Sequence, residues 1–265
     1  MISFSSNLFN LFLIIINCLF QNATSNNNNN DKVPYYVPSS GGGKSLNRVP
    51  PTGLGEPLNV IISARSSSEV LTDSGFENYA KSIGFSQECL GLHLGDLQSA
   101  NLGDGNGWLN ETKLYRQDYG DPLLGSCIES LIGGNHFRYW RQNGTKAPSG
   151  ALFLTVSSEE DLKKAHTIIP NGYNLGRDRL VRNATESNTT FGNRKYSTKV
   201  QYVGGMLAPG SVGVNHGISQ DGKVAVLTVT AIPKFPSNKN PRPKLLKEPQ
   251  VNITTGTVIV HHIVT

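Results

Sequence analysis

The sequence predicts an α+β fold: a single domain with a mainly antiparallel sheet and three to five short helices behind a disordered leader. Three observations lead there. Runs rich in Val, Ile, Thr and aromatic residues, bounded by Gly, Asn or Pro, read as strands at 109–117, 135–142, 151–156, 195–203, 223–232 and 251–264. Short apolar stretches with helix-start signals fall between them. No internal repeat and no regular strand-helix alternation is present, which argues against a doubly wound parallel sheet.

Taken in order, residues 1–25 contain an uncharged run of 13 residues, Leu8 to Phe20, followed by Ala23-Thr24-Ser25. This pattern predicts a secretory signal peptide cleaved after Ser25, and hence a secreted, extracellular protein. An uncleaved signal anchor is the alternative. The run is short of the roughly 20 residues a membrane helix needs, and no later segment comes closer, so no transmembrane span is expected.

Residues 26–57 are rich in Asn, Gly, Pro and Ser and read as a disordered leader. Within it, Gly41-Gly42-Gly43-Lys44-Ser45 mimics the end of a phosphate-binding loop, but Pro38 stands where the first glycine is required.

Residues 58–265 are expected to form one globular domain. It opens with a short strand at 58–64. Ser74 to Glu77 has capping-box spacing, Phe76, Tyr79, Ala80 and Ile83 recur at helical intervals, and Gly84 can end that helix. A second helical piece is read at 89–94. Asp121-Pro122 starts another that runs through Cys127 to Ile132. Ser157 to Glu160 repeats the capping-box spacing ahead of Leu162 and Ala165, which places Glu159 and Glu160 in a helix's first turn. Strands 135–142 and 151–156 read as a long-looped hairpin.

Loss of Cys18 with the signal leaves Cys89 and Cys127, an even pair in a chain bound for an oxidising compartment. One disulfide between them is the economical reading, two buried thiols the other. Outside the signal, Asn110, Asn143, Asn183, Asn188 and Asn252 begin Asn-x-Ser/Thr triplets and are candidate glycosylation sites. The net charge of +5 lies mostly in a Pro-rich loop at 233–249, where five basic residues face one Glu. Such a run reads as a solvated excursion or as a contact for an acidic polysaccharide, phospholipid or nucleic acid; its confinement to one loop argues against a nucleic-acid partner.

The densest segment for chemistry is 133–144. As a strand it sets His136, Arg138, Trp140 and Gln142 on one face and Asn135, Phe137, Tyr139 and Arg141 on the other. A His, a guanidinium and aromatic rings can bind a sugar, phosphate or carboxylate, or can serve packing alone. The binding candidates are Trp140, Tyr139 and Asp178. The catalytic candidates are His136, Arg138 and His216, with His166 as a further histidine; two histidines and an arginine suit metal-independent hydrolysis of RNA or a polysaccharide.

His136, His166 and His216 are isolated in sequence, and His261-His262 point to opposite faces of a strand, so no metal site is expected. No cofactor motif is present. Asp104-Gly-Asn-Gly-Trp108 fits a calcium loop at neither end and reads as a tight turn, and no G-x-S-x-G marks a serine hydrolase.

The segment 133–144, together with 149–154, 171–178 and 215–222, resembles a family of uncharacterised secreted proteins of filamentous, mainly basidiomycete, fungi. The resemblance spans roughly Phe76 to Thr230 and implies secretion and a shared fold, with no activity attached. The Asn-rich leader and the basic loop with its terminal strand depart from the family pattern. The function expected from all of this is a non-catalytic extracellular binding protein, wall-associated or at a host interface, with a cell-wall or host glycan as partner. The alternative is a small secreted hydrolase using His136 and His216.

Overall fold

The computed structural model describes residues 31–93 and 95–233. The signal segment, the basic loop beyond Pro233, Asn252 and the strand read at 251–264 lie outside the described residues.

The chain forms strands β1 (Val60–Ile62), β2 (Phe85–Gln87), β3 (Ser99–Ala100), β4 (Leu109–Asn110), β5 (Lys113–Gln117), β6 (Gly134–Arg141), β7 (Leu152–Glu159), β8 (Thr189–Phe191), β9 (Arg194–Val203) and β10 (Val224–Pro233). Its α-helices are α1 (Asp73–Ser82), α2 (Gly125–Ile132) and α3 (Gly172–Thr185). Eight strands make one sheet in the order β2-β5-β6-β7-β1-β10-β9-β8, and β3 and β4 form a separate pair. Within the large sheet every pairing is antiparallel except β1 with β10. The fold is α+β, as the strand runs predict.

The central strands are buried on both faces, so they read as apolar runs rather than as alternating ones. Phe137, Tyr139, Leu154, Val156, Ala225 and Leu227 point into the larger core with Phe76 and Tyr79 of α1 and Leu180 of α3. Trp140, Phe153, Ile61 and Val226 point the opposite way, into a second core closed by Leu58, Leu102 and Leu207 from irregular segments. Helices α1 and α3 thus cover one face, and irregular segments close most of the other.

The leader expectation is corrected from Asp31 onward. Gln142 is fully buried and ties this segment down: its Oε1 accepts from the Tyr36 N–H at 2.8 Å and its Nε2 donates to the carbonyls of Tyr36 and Leu102. Tyr35 packs edge-on against Phe153. Gly41 lies so close to the backbone of Gly103 that a Cβ would sit 1.8 Å from its carbonyl oxygen. The glycines that resemble a phosphate loop serve backbone packing.

Two helix expectations also shift. Thr72 caps α1 by accepting from the Gly75 N–H, so the cap lies two residues before Ser74. Ser157 to Glu159 do not start a helix; they extend β7, pairing with His136 to Gly134, and a short 3-10 turn at Leu162–Lys164 follows. Asp121 does precede a helix, accepting from the N–H groups of Leu123 and Leu124, with α2 beginning at Gly125. Cys89 and Cys127 form the disulfide, joining α2 to the turn at Cys89–Gly91.

α2 is inverted relative to an ordinary surface helix. It buries Ser126 and Glu129 and exposes Ile128, Leu131 and Ile132. This inversion brings a carboxylate to the loop-covered face of the sheet.

Candidate functional site

On that loop-covered face, toward β5, the apolar core gives way to charge. Antiparallel register aligns Arg116 of β5, His136 of β6 and Ser157 of β7 in one row. Glu129 enters from α2 and Glu159 from the end of β7. One guanidinium nitrogen of Arg116 donates to Glu129 Oε2 at 2.9 Å and to Glu159 Oε2 at 3.2 Å. His136 Nδ1 lies 3.4 Å from Glu159 Oε1, and His166 Nδ1 lies 3.6 Å from Glu159 Oε2. His166 arrives in a left-handed conformation, with φ of 52°, at the turn that follows Leu162–Lys164.

A second ion network adjoins the first. Arg138 Nε pairs with Glu111 Oε2 at 2.7 Å, and its Nη1 lies 3.8 Å from Glu56 and 3.3 Å from His136 Nε2. Ser157 Oγ sits 3.3 Å from the same ring nitrogen. His93 bridges Glu88 and Glu111 at the rim. Four carboxylates at the sheet (Glu56, Glu111, Glu129 and Glu159) therefore face two guanidiniums (Arg116 and Arg138), a surplus of two negative charges when all are ionised.

Burial sets the protonation. His136 is 1% exposed, and burial, reinforced by Arg138 and Arg116, holds it neutral well below the usual histidine range. Burial pushes the Glu159 carboxyl up to about 8 against the pull of Arg116, and pushes Glu111 up to about 7 against Arg138. Glu129 is raised by the same cause. Glu129 Oε1, His136 Nδ1 and His166 Nδ1 have no hydrogen-bond partner.

The sequence-derived candidates divide. His136, Arg138 and His166 converge here. His216 does not: it is exposed at φ of 60° in the turn Asn215–Gly217. Tyr139 is fully buried in the helix-covered core, where its hydroxyl donates to Asp73, so it is corrected from ligand contact to core residue. Asp178 is half exposed on α3, held by Arg177 and Tyr202 away from Trp140. The catalytic pair His136 and His216 and the binding trio are thus not assembled.

Glu159, Glu129 and Arg116 escaped the sequence reading. The alternation along 151–159 carried the signal for Glu159: continued through Ser157, it puts residue 159 on the face of His136.

Trp140 instead lines a separate cavity of about 200 Å3, with Asp73, Asp104, Asn110, Arg141 and Asn143 among others. Arg141 reaches the Leu71 carbonyl and Asp73 Oδ1, and Trp140 donates its indole N–H to the Leu109 carbonyl at 3.1 Å. Asp104 Oδ2 accepts from the N–H groups of Asn143 and Gly144, fixing the turn that borders the cavity. Asn110, Asn143, Asn183 and Asn188 are all exposed.

No family model, curated protein or solved structure matches this chain. Among the described residues, no helix is long and apolar enough to cross a membrane.

Proposed function

We propose that the protein is a secreted, N-glycosylated, non-catalytic binding protein of a fungal cell surface or host interface, and that it takes a wall or host glycan at the cavity beside Trp140. The observation that carries the non-catalytic reading is the burial of His136, 1% exposed with its Nε2 occupied by Arg138 and Ser157. An acid-base group must reach its substrate. The cavity supports the ligand class, because the Asp73 carboxylate, the Arg141 guanidinium and the Asn110 and Asn143 amides make a lining that suits hydroxyl-rich rings, with the buried Trp140 behind them. Exposure of four of the five Asn-x-Ser/Thr acceptors supports glycosylation, and the disulfide supports an oxidising compartment.

The test is retention on a panel of wall polysaccharides and arrayed glycans, with the Asp73→Ala variant beside the parent chain. Binding that Asp73→Ala weakens supports the reading. No retention on any member, together with turnover in a hydrolase assay, sinks it.

One observation favours a second reading. Glu159, with its carboxyl near 8, adjoins the partly exposed His166, a pairing suited to general acid catalysis. In a hydrolase, activity would then depend on Glu159 and His166 rather than on His136 and His216. Loss of turnover in Glu159→Gln with full turnover in His216→Ala would favour it.

A further inference from the structure

Glu129, His136 and Glu159 each offer one ligand atom, and these atoms lie within 4.8 Å of one another. Two of the three residues are essentially inaccessible; Oε1 of Glu129 has no hydrogen-bond partner, and Nδ1 of His136 has only Glu159 Oε1 nearby, at 3.4 Å and outside hydrogen-bond geometry. A buried polar atom left unpaired costs about 1–3 kcal/mol, and a bound group at this cluster would satisfy both atoms.

The surroundings are arranged as supports for such an ion. Arg116 holds the Oε2 atoms of both carboxylates, which leaves their Oε1 atoms for coordination. Coordination through Nδ1 takes the Nε2–H tautomer of His136, in which Ser157 Oγ accepts at 3.3 Å and the Arg138 Nη1 contact to the same nitrogen must open, because a guanidinium only donates. His166 contacts Glu159 from the more exposed side, where an ion would enter. The disulfide at Cys127 anchors α2 two residues before Glu129.

We propose that Glu129, His136 and Glu159 form a binding site for a divalent transition cation of the zinc or manganese class. An imidazole donor and a small ligand set suit such an ion better than calcium, which takes six to eight oxygens, or magnesium, which keeps its waters. The site is separate from the cavity at Trp140 and stands or falls independently of the glycan reading. It reverses the expectation drawn from histidine spacing, because two of the three ligands are glutamates.

Full-length protein stripped with a chelator and titrated with Co2+ is expected to take up one equivalent with visible d–d bands, to lose them to Zn2+, and to ignore Ca2+ and Mg2+. Glu129→Gln and Glu159→Gln, which keep side-chain volume, should each weaken uptake by about tenfold or more. The variant with both His261→Ala and His262→Ala, which removes the paired histidines near the chain end, should bind as the parent does. Failure of the parent chain to take up one equivalent overturns the proposal, as does parent-like affinity in either Gln variant or loss of binding in the His261/His262 variant. Should both Gln variants fail to fold, the parent and the His261/His262 variant still decide.

Discussion

His136 and Glu159 face each other on adjacent strands, Nδ1 to Oε1 at 3.4 Å, yet burial drives both toward their neutral forms. A His and a Glu in contact would ordinarily form an ion pair. Here desolvation exceeds the mutual attraction, because Arg116 and Arg138 already oppose a charge on the ring.

The pH dependence of stability follows for the cation-free chain. Unfolded glutamates ionise near 4.3, whereas Glu159 and Glu111 ionise near 8 and 7 in the fold. The folded state holds more protons between those limits, so stability is highest in mild acid and falls as pH rises through 8. His136 acts oppositely, losing stability as pH falls below its unfolded value of about 6.5. The decline is therefore steepest from about 6.5 to 8. Thermal unfolding in chelator should give a lower midpoint at pH 8 than at pH 6, with a shallower slope in Glu159→Gln. A midpoint that rises over that interval would contradict the burial argument.

The Cys89–Cys127 bridge closes a separation of 38 residues, for which chain entropy gives about 3–4 kcal/mol. Replacing both cysteines by alanine should lower the free energy of unfolding by that amount in urea titration. It should also weaken cation uptake, since α2 carries Glu129.

Gly176 lets α3 lie directly on β7: a Cβ there would come 2.6 Å from the Ser157 backbone. Gly176→Ala should cost about 3 kcal/mol, because backbone rather than a flexible side chain must move. Gly204→Ala, where a Cβ would meet nothing within 4 Å, is the matched control and should be near neutral. Equal stabilities for the two variants would refute the close-approach account.

At the cavity, Asn110 and Asn143 line the opening that the proposed ligand would use. Glycans there would crowd it. Asn110→Gln and Asn143→Gln are expected to raise retention on a bound polysaccharide, and Arg141→Ala, which loses the ties to Leu71 and Asp73, to lower it. Unchanged retention in all three would move the ligand site elsewhere.

Much of the sheet was legible because its strands are apolar or alternating and end at Gly, Asn or Pro. The β6–β7 hairpin and the opposed faces of 135–142 follow from period two alone. α3 was missed because its start, Asn171, has φ of 60° and no side-chain cap, and its middle carries Arg, Asp and Asn. The ordered segment from Asp31 was missed because its order comes from distant partners such as Gln142, not from local pattern. The charged cluster was half legible. His136 and Arg138 stood out, but α2 presents Glu129 where an amphipathic reading puts Ile128 and Leu131 inward. Capping-box spacing at 157–160 concealed Glu159, since a Ser and a Glu three apart also occur on a strand.

The position of β1 carries a kinetic consequence. This short strand lies early in the chain, yet Val60 pairs with Leu154 on one side and with Ala225 on the other. The sheet's middle cannot close by zipping neighbouring hairpins; it waits for β10, the last described strand, to emerge from synthesis. Until then three wholly apolar residues, Val60 to Ile62, keep the edge that faces β10 open even once β7 has paired with the other. Refolding should be slow and concentration-sensitive, with association through this strand competing against completion of the sheet.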